Sequence, residues 1–322
     1  MTTLLITGAN GFVGQALCER AIRQGFHVKG AVRTACSLPL GVDRVVAGTV
    51  DGGTAWADAL QGVDVIVHLA ARVHVMKDSS TDPLAEFRKV NVAGTENLAR
   101  QAVQAGVKRL IYVSSIKVNG EEAEAGQRYT ELDAPAPSDP YGISKWEAEQ
   151  ALHRIACKTG LEVAILRPPL VYGAGVKGNF AQMLNVLAKG IPLPFASVRN
   201  LRSLVYVGNL ADALITCATH PAAAGQTYLV GDGEDISTPD LLCCLGVAIS
   251  HPAKLIPCPV SLLRLAGKIT GKSKQMDRLL GSLQVDSNKI RRDLNWAPPY
   301  SLQQGLQATA EWWKAAQQST PK

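Results

Sequence analysis

The sequence predicts an α/β fold: a doubly wound parallel sheet carrying a smaller, discontinuous α+β lobe. Three observations predict it. Apolar runs at 4–7, 27–32, 45–46, 65–69, 110–114 and 163–166 alternate with segments of helical period or composition at 11–24, 56–60, 85–105 and 141–159. The runs are apolar on both faces, so both faces must be covered, as in a parallel sheet between two helical layers. A glycine-punctuated stretch, Thr7-Gly8-Ala9-Asn10-Gly11-Phe12-Val13-Gly14, follows the apolar Leu4-Leu5-Ile6 and opens the first helix.

Each run has its turn at the carboxyl end. Gly8, Arg33, Ala70-Ala71, Ser115 and Arg167-Pro168 all fall there, and ligands of such sheets bind in the crevice at the strand ends. After Pro168 the alternation stops, and Gly173, Gly175, Gly178, Gly190, Pro192 and Pro194 mark loops that shape a pocket. The run at 204–207 is expected to return to the main sheet, with helix 209–219 behind it. The predicted division is therefore residues 1–168, rejoined at about 203–220, as the cofactor-binding domain, and 169–322 mainly as the substrate lobe. The basic stretch 260–274 reads as a surface helix over that lobe, with contact to a membrane surface as the lesser alternative, and Trp312 and Trp313 read as packing residues of a terminal helix.

Composition narrows the class. A net charge of +6 and 47% hydrophobic residues suit a soluble globular protein that takes an anionic substrate. The basic residues are spread, which does not support nucleic-acid binding. The first strand begins close to Met1, leaving no expected room for a signal peptide. No apolar run approaches the about 20 residues of a membrane span, so stable membrane insertion is not expected. Seven cysteines without a CxxC pair read as reduced thiols, and the vicinal Cys243-Cys244 as helical. A cytoplasmic location follows as the expectation. Six histidines without HxxxH or HExxH spacing imply no metal site, and His68 and His74 read as packed or solvated.

The chemistry sits in Pro140-Tyr141-Gly142-Ile143-Ser144-Lys145. Four residues apart on a helix, Tyr141 and Lys145 share a face, and a nearby cation is expected to lower the phenol pKa from about 10 toward neutrality. That would make a proton shuttle for an alcohol/ketone pair. The glycine loop is the matching dinucleotide site. Gly8 permits the turn, Gly11 removes a side chain where phosphate passes, and Gly14 lets the helix pack closely. At the end of the second strand, Arg33 suits the 2′-phosphate of NADP(H), and no Asp or Glu from Gly25 to Leu40 is available for the ribose of NAD(H).

These motifs, with His68-Leu69-Ala70-Ala71, Asn91-Val92-Ala93-Gly94-Thr95, Val113-Ser114-Ser115 and the run from Asp286 to Trp296, resemble the extended short-chain dehydrogenase/reductases of the nucleotide-sugar type, which include the UDP-glucose 4-epimerases. The resemblance covers almost the whole chain and implies a Rossmann-type domain. It implies Ser115, Tyr141 and Lys145 as the catalytic set. Gly8, Asn10, Gly11, Phe12, Val13, Gly14, Arg33, Leu69, Ala70, Ala71, Asn91, Tyr141, Lys145 and Pro168 would bind the cofactor. Ser115, Lys117, Asn179, Arg202 and Arg278 would meet the substrate, with Asn179 and Arg202 on its diphosphate. A plain reading of Asn179 is an N-cap, which does not exclude phosphate. A homodimer through helices 85–105 and 141–159 is also implied.

Three departures narrow the activity. Ile116-Lys117 stands where the 4,6-dehydratases carry Asp-Glu, so dehydration is not expected. Val118-Asn119-Gly120 and Arg33 replace the VYG run and cofactor Asp of the epimerases, and Leu170 replaces their sugar-binding Asn. Residues Ser114 to Gly120 resemble the bacterial UDP-4-keto-6-deoxy-N-acetylglucosamine 4-reductases. The expectation is an NADP(H)-dependent C4 ketoreductase of a UDP-sugar, serving O-antigen or capsule synthesis. A UDP-hexose or UDP-N-acetylhexosamine 4-epimerase with bound NAD(H) is the alternative. A non-catalytic NADP sensor would have no need of an acid at the nicotinamide.

Overall fold

In the computed structural model, which describes residues 1–73, 80–123 and 126–318, seven parallel strands form the central sheet. They are β1 (Thr3–Thr7), β2 (His27–Val32), β3 (Val42–Val46), β4 (Val65–His68), β5 (Arg109–Val113), β7 (Glu162–Arg167) and β10 (Thr227–Leu229). The short β6 (Arg128–Tyr129), β8 (Leu170–Tyr172), β9 (Arg202–Tyr206), β11 (Asp235–Ile236) and β12 (Gln284–Val285) lie outside it. The helices are α1 (Phe12–Arg23), α2 (Ala57–Leu60), α3 (Pro83–Phe87), α4 (Thr95–Gln104), α5 (Pro140–Thr159), α6 (Asn179–Ala188), α7 (Val207–Thr219), α8 (Thr238–Ala248), α9 (Val260–Ile269), α10 (Ser273–Leu280), α11 (Asn288–Leu294) and α12 (Leu302–Gln318).

The sheet order is β10-β7-β5-β4-β1-β2-β3. The chain builds outward from β1 to β3, then crosses back to β4 and builds the other way. The switch between β1 and β4 opens a crevice at their carboxyl ends.

Alternation within the strands explains the two helical layers. Leu4 and Ile6 of β1 pack with Leu17, Cys18 and Ala21 of α1 and Leu210, Leu214 and Cys217 of α7. Leu5, pointing the opposite way, packs with Leu98 of α4 and Leu152 of α5. A third core joins Phe180, Leu184, Leu241, Leu245, Leu263, Leu306 and Ala310, with Trp312 and Trp313 packed partly against it.

Two expectations need correction. The strand over 204–207 does not return to the main sheet, because β9 pairs with β8 and β11 in a separate three-stranded sheet. The strand that rejoins is β10, beside β7. Helix α7, predicted behind that strand, does pack on the main sheet's α1 layer. The signal was misleading because a short buried strand has the same apolar run in either sheet.

The helix expected over 85–105 is three pieces: α3, a π-helical turn at Arg88–Gly94, and α4. α3 begins with Asp82 accepting from the Ala85 amide at 3.0 Å and Pro83 in the first turn. Vicinal Cys243 and Cys244 lie on α8 as expected, and all seven thiols are free. His74 falls outside the described residues.

Candidate active site

The glycine loop is built for close approach. Gly8 adopts φ 69° and donates its amide to the Ala31 carbonyl at the end of β2, at 3.0 Å. A Cβ on Gly14 would lie 2.2 Å from the Gly8 carbonyl oxygen, so the first turn of α1 lies against the loop itself. Gly11 is the N-cap of α1 and offers no side-chain cap, leaving the N–H groups of that turn to an anion. These features fit the pyrophosphate of a dinucleotide. Asn10 and Gly11 are exposed, whereas Phe12 and Val13 are half-buried and pack toward the cores. Arg33 lies exposed just beyond β2, two residues past the carbonyl that ties down Gly8.

Behind the loop runs a buried polar chain that sequence reasoning missed. The Thr7 hydroxyl oxygen accepts from the Leu69 and Ala70 amides, both at 3.1 Å, and meets His68 Nδ1 at 2.7 Å. His68 Nε2 lies 3.0 Å from the Thr95 hydroxyl. Burial first, and the Lys145 charge second, push the imidazole down to about 3, so it is neutral and structural. Parallel pairing sets Thr7 directly opposite His68, a register no local pattern reveals.

Asn91 sits in a second buried network beside the site. Its side chain exchanges hydrogen bonds with the Arg72 backbone (2.8 and 3.0 Å) and donates to Ser144 Oγ at 2.9 Å. Buried and engaged, it holds the segment after Ala71 to α5. The π-helical turn supplies its position, and such turns recur at functional sites.

Ser115, Tyr141 and Lys145 are brought together by β5 and α5. Ser115 caps a short turn, and the next amide, Ile116, donates to the Pro168 carbonyl at 3.0 Å, placing the ends of β5 and β7 side by side. α5 starts at Asp139, whose carboxylate accepts from the Gly142 amide at 2.6 Å, with Pro140 in the first turn. That cap sets Tyr141 at the crevice end of the helix. Ser115 hydrogen-bonds the Tyr141 phenol.

The electrostatics run against the expected lowering of Tyr141. Burial, reinforced by Asp139, raises its pKa above the usual phenol value, and the bond from Ser115 only partly offsets this. Tyr141 therefore holds its proton. Lys145 donates to the Val113 carbonyl at 2.8 Å and lies 4.5 Å from the Tyr112 ring centre and 5.9 Å from that of Tyr141. Its burial lowers the ammonium pKa to about 7, with Glu149 opposing the shift.

A stability signature follows from Lys145. Its folded pKa lies below the unfolded value of 10.5, so the unfolded chain binds the extra proton between them. This group's penalty is full below about pH 7 and fades as pH rises toward 10.5. Urea unfolding should show a contribution of up to about 1.4 kcal/mol per pH unit in that window, missing in Lys145→Met. An identical slope in parent and variant would contradict the desolvation of Lys145.

Lys117 does not present a free cation to a substrate. Its ammonium pairs with Glu121 at 2.7 Å and with Asp139, so it ties the Ser115 turn to the start of α5 as a positioning residue. Arg202 and Arg278 do form one cationic cluster. Burial, then the like charge of Arg278, lowers the Arg202 pKa, with Glu122 opposing. Arg202 donates to the Gly281 carbonyl at 3.0 Å. Asn179 is the first residue of α6, and Gly178 at φ 65° is the N-cap.

Sequence reasoning also missed the buried trio beneath the site. Arg167 donates Nε to Glu149 Oε1 at 3.0 Å, Nη2 to Oε2 at 2.5 Å and Nη1 to Asn119 Oδ1 at 3.0 Å. A cavity of about 450 Å³ beside α1, lined by Phe12, Gln15, Lys177, Tyr206 and Tyr300 among others, contains none of Ser115, Tyr141 or Lys145. Among the described residues no helix is long and apolar enough to cross a membrane, and no three His, Cys, Asp or Glu side chains cluster as metal ligands.

Comparison with known proteins agrees with this architecture. The model of the family described as "NAD dependent epimerase/dehydratase family" matches residues 4–231. A Vibrio cholerae UDP-glucose 4-epimerase is 45% identical over 311 residues, 96% of this chain and 94% of the relative. An Escherichia coli O157:H7 N-acetyl-alpha-D-glucosaminyl-diphospho-ditrans,octacis-undecaprenol 4-epimerase is 29% identical over 326 residues, again 96% and 94%. The Bacillus cereus UDP-glucuronic acid 4-epimerase, solved in complex with NAD, superposes with a TM-score of 0.80 over 99% of both chains, at 21% identity. A core and loop of this kind, matched over this length, make the chain a member of the NAD dependent epimerase/dehydratase family and an NAD(P)-dependent nucleotide-sugar enzyme.

Proposed function

We propose that this enzyme uses NADP(H) to reduce the C4 ketone of a UDP-4-keto-6-deoxy-N-acetylhexosamine, in the synthesis of bacterial surface polysaccharide. One observation carries the reading: an exposed Arg33 at the end of β2, beside the glycine loop, with no carboxylate from Gly25 to Leu40. A guanidinium there pairs with a 2′-phosphate, whereas an NAD site needs an acceptor for the ribose hydroxyl. An enzyme drawing on the reducing pool is a net reductase.

This reading gives each residue of the site a role. The glycine loop would hold the pyrophosphate of the dinucleotide, whose nicotinamide would supply the hydride. Tyr141, which holds its proton, donates it to the alkoxide forming at C4, a transfer worth about 10²–10⁴-fold. Ser115 donates a hydrogen bond to the same oxygen. Lys145 stabilises the phenolate left behind and meets the ribose hydroxyls. Arg202 and Arg278, with Asn179, hold the diphosphate. Residues 1–168 would chiefly bind cofactor and 169–322 the sugar nucleotide, in a homodimer formed through the helical segment 85–105 and α5.

Arg202→Ala should weaken UDP binding by about 2–5 kcal/mol, the usual cost of removing one partner of a buried charged contact, and leave cofactor binding alone. Calorimetry that finds UDP affinity unchanged would move the diphosphate site elsewhere. Arg33→Asp should transfer preference from NADPH to NADH through like-charge repulsion with the 2′-phosphate. Unaltered preference in paired steady-state assays would contradict the role of Arg33.

The second reading is a UDP-sugar 4-epimerase with bound NAD, using the same three residues. The name of the Vibrio relative at 45% identity favours it. So does the NAD in the Bacillus structure. It differs in returning the hydride to the opposite sugar face, with no net use of cofactor.

A further inference from the structure

The α9–α10 segment has two features that the active site does not use. α9 buries only Leu263 and Gly267. Leu262, Leu265 and Ile269 are 55%, 53% and 78% exposed. With the exposed Ala266 they fall at i, i+3, i+4 and i+7, one continuous stripe on a side of the helix distinct from the buried pair. Apolar surface of this kind is left in water at a cost unless something covers it.

The second feature is charge. Residues 259–283 contain Arg264, Lys268, Lys272, Lys274 and Arg278 against one carboxylate, Asp277. This short stretch therefore holds most of the excess behind the chain's net +6. Arg264, Lys268 and Lys272 are exposed. Arg264 and Lys268, at i and i+4, run along one flank of the stripe.

An apolar stripe flanked by cations matches a helix lying in the plane of an anionic bilayer, its stripe among the acyl chains and its cations at the headgroups. A second copy fits less well, because pairing would bring two such cationic clusters together. The segment also adjoins the proposed diphosphate site. A Cβ on Gly267 of α9 would lie 2.9 Å from Met276 of α10, and α10 carries Arg278, the neighbour of Arg202.

We propose that α9 docks this enzyme peripherally on an anionic membrane surface through Leu262, Leu265 and Ile269, with Arg264, Lys268 and Lys272 at the headgroups. Docking would bring the Arg202/Arg278 cluster close to that surface. It requires no inserted span, and it stands whether the enzyme proves a reductase or an epimerase.

Sedimentation of the full chain with vesicles tests it, comparing pure phosphatidylcholine with a phosphatidylcholine/phosphatidylglycerol mixture. The mixed vesicles should bind at least about tenfold more strongly, less so as salt rises. Leu262→Glu/Leu265→Glu should abolish binding without changing the melting temperature by more than a few degrees. Arg264→Gln/Lys268→Gln, which leaves the apolar stripe intact, should weaken binding on the order of tenfold; it decides the matter if the glutamate variant fails to fold. No binding, equal binding to both vesicle types, or binding indifferent to Arg264→Gln/Lys268→Gln would overturn the proposal. Light scattering that shows self-association lost in Leu262→Glu/Leu265→Glu, with vesicles ignored by the parent, would overturn it in favour of a second copy.

Discussion

Tyr141→Phe should lower turnover on a UDP-4-ketosugar by at least about 10²-fold while KM and cofactor affinity stay close to those of the parent. The variant removes only the phenol oxygen. Its ring keeps the edge contact with Phe87, whose centre lies 6.1 Å away, so packing at the head of α5 is preserved. Burial and Asp139 keep the parent phenol protonated, which is the state a donor to an alkoxide needs. Loss concentrated in kcat would mark an interaction made in the transition state. Near-normal kcat would remove Tyr141 from the chemistry.

The largest effect on stability is expected beneath the site. Arg167 and Glu149 are 5% and 0% exposed at their side chains, and Arg167 is the carboxylate's bidentate partner. Arg167→Met should leave Glu149 buried without that charge and Asn119 Oδ1 without its guanidinium donor, costing about 3–5 kcal/mol. A lower urea midpoint measures it. Arg167→Met/Glu149→Leu should recover much of the loss, because an apolar pair of similar volume often replaces a buried ion pair at little cost. Destabilisation below about 1 kcal/mol in the single variant would show that the pair is screened by water. Glu149 also favours the charged form of Lys145, so the pair links the core to the crevice.

The fold and the motif-bearing residues were legible because their signals are local. Apolar runs such as Leu4-Leu5-Ile6, the glycine spacing from Gly8 to Gly14 and the i, i+4 pair Tyr141/Lys145 each arise within one element. What stayed hidden depends on pairing across the sheet or on burial. Thr7 meets His68 only through the β1–β4 register. Asn91 reaches Arg72 and Ser144 from a π-helical turn that ordinary helical periodicity does not announce. The protonated Tyr141 reflects desolvation, which spacing alone does not measure, and Lys117 is claimed by Glu121 and Asp139 on neighbouring segments. One missed feature did have a signal: Asp139-Pro140 is a helix start in its own right.

The cofactor that sustains turnover tests the central claim most directly. Steady-state assays on a UDP-4-keto-6-deoxy-N-acetylhexosamine, run in parallel with NADPH and NADH, should show clear preference for NADPH and one oxidised cofactor formed per sugar reduced. Indifference to the 2′-phosphate, together with interconversion of UDP-sugars without added cofactor, would contradict the reductase and identify the 4-epimerase instead.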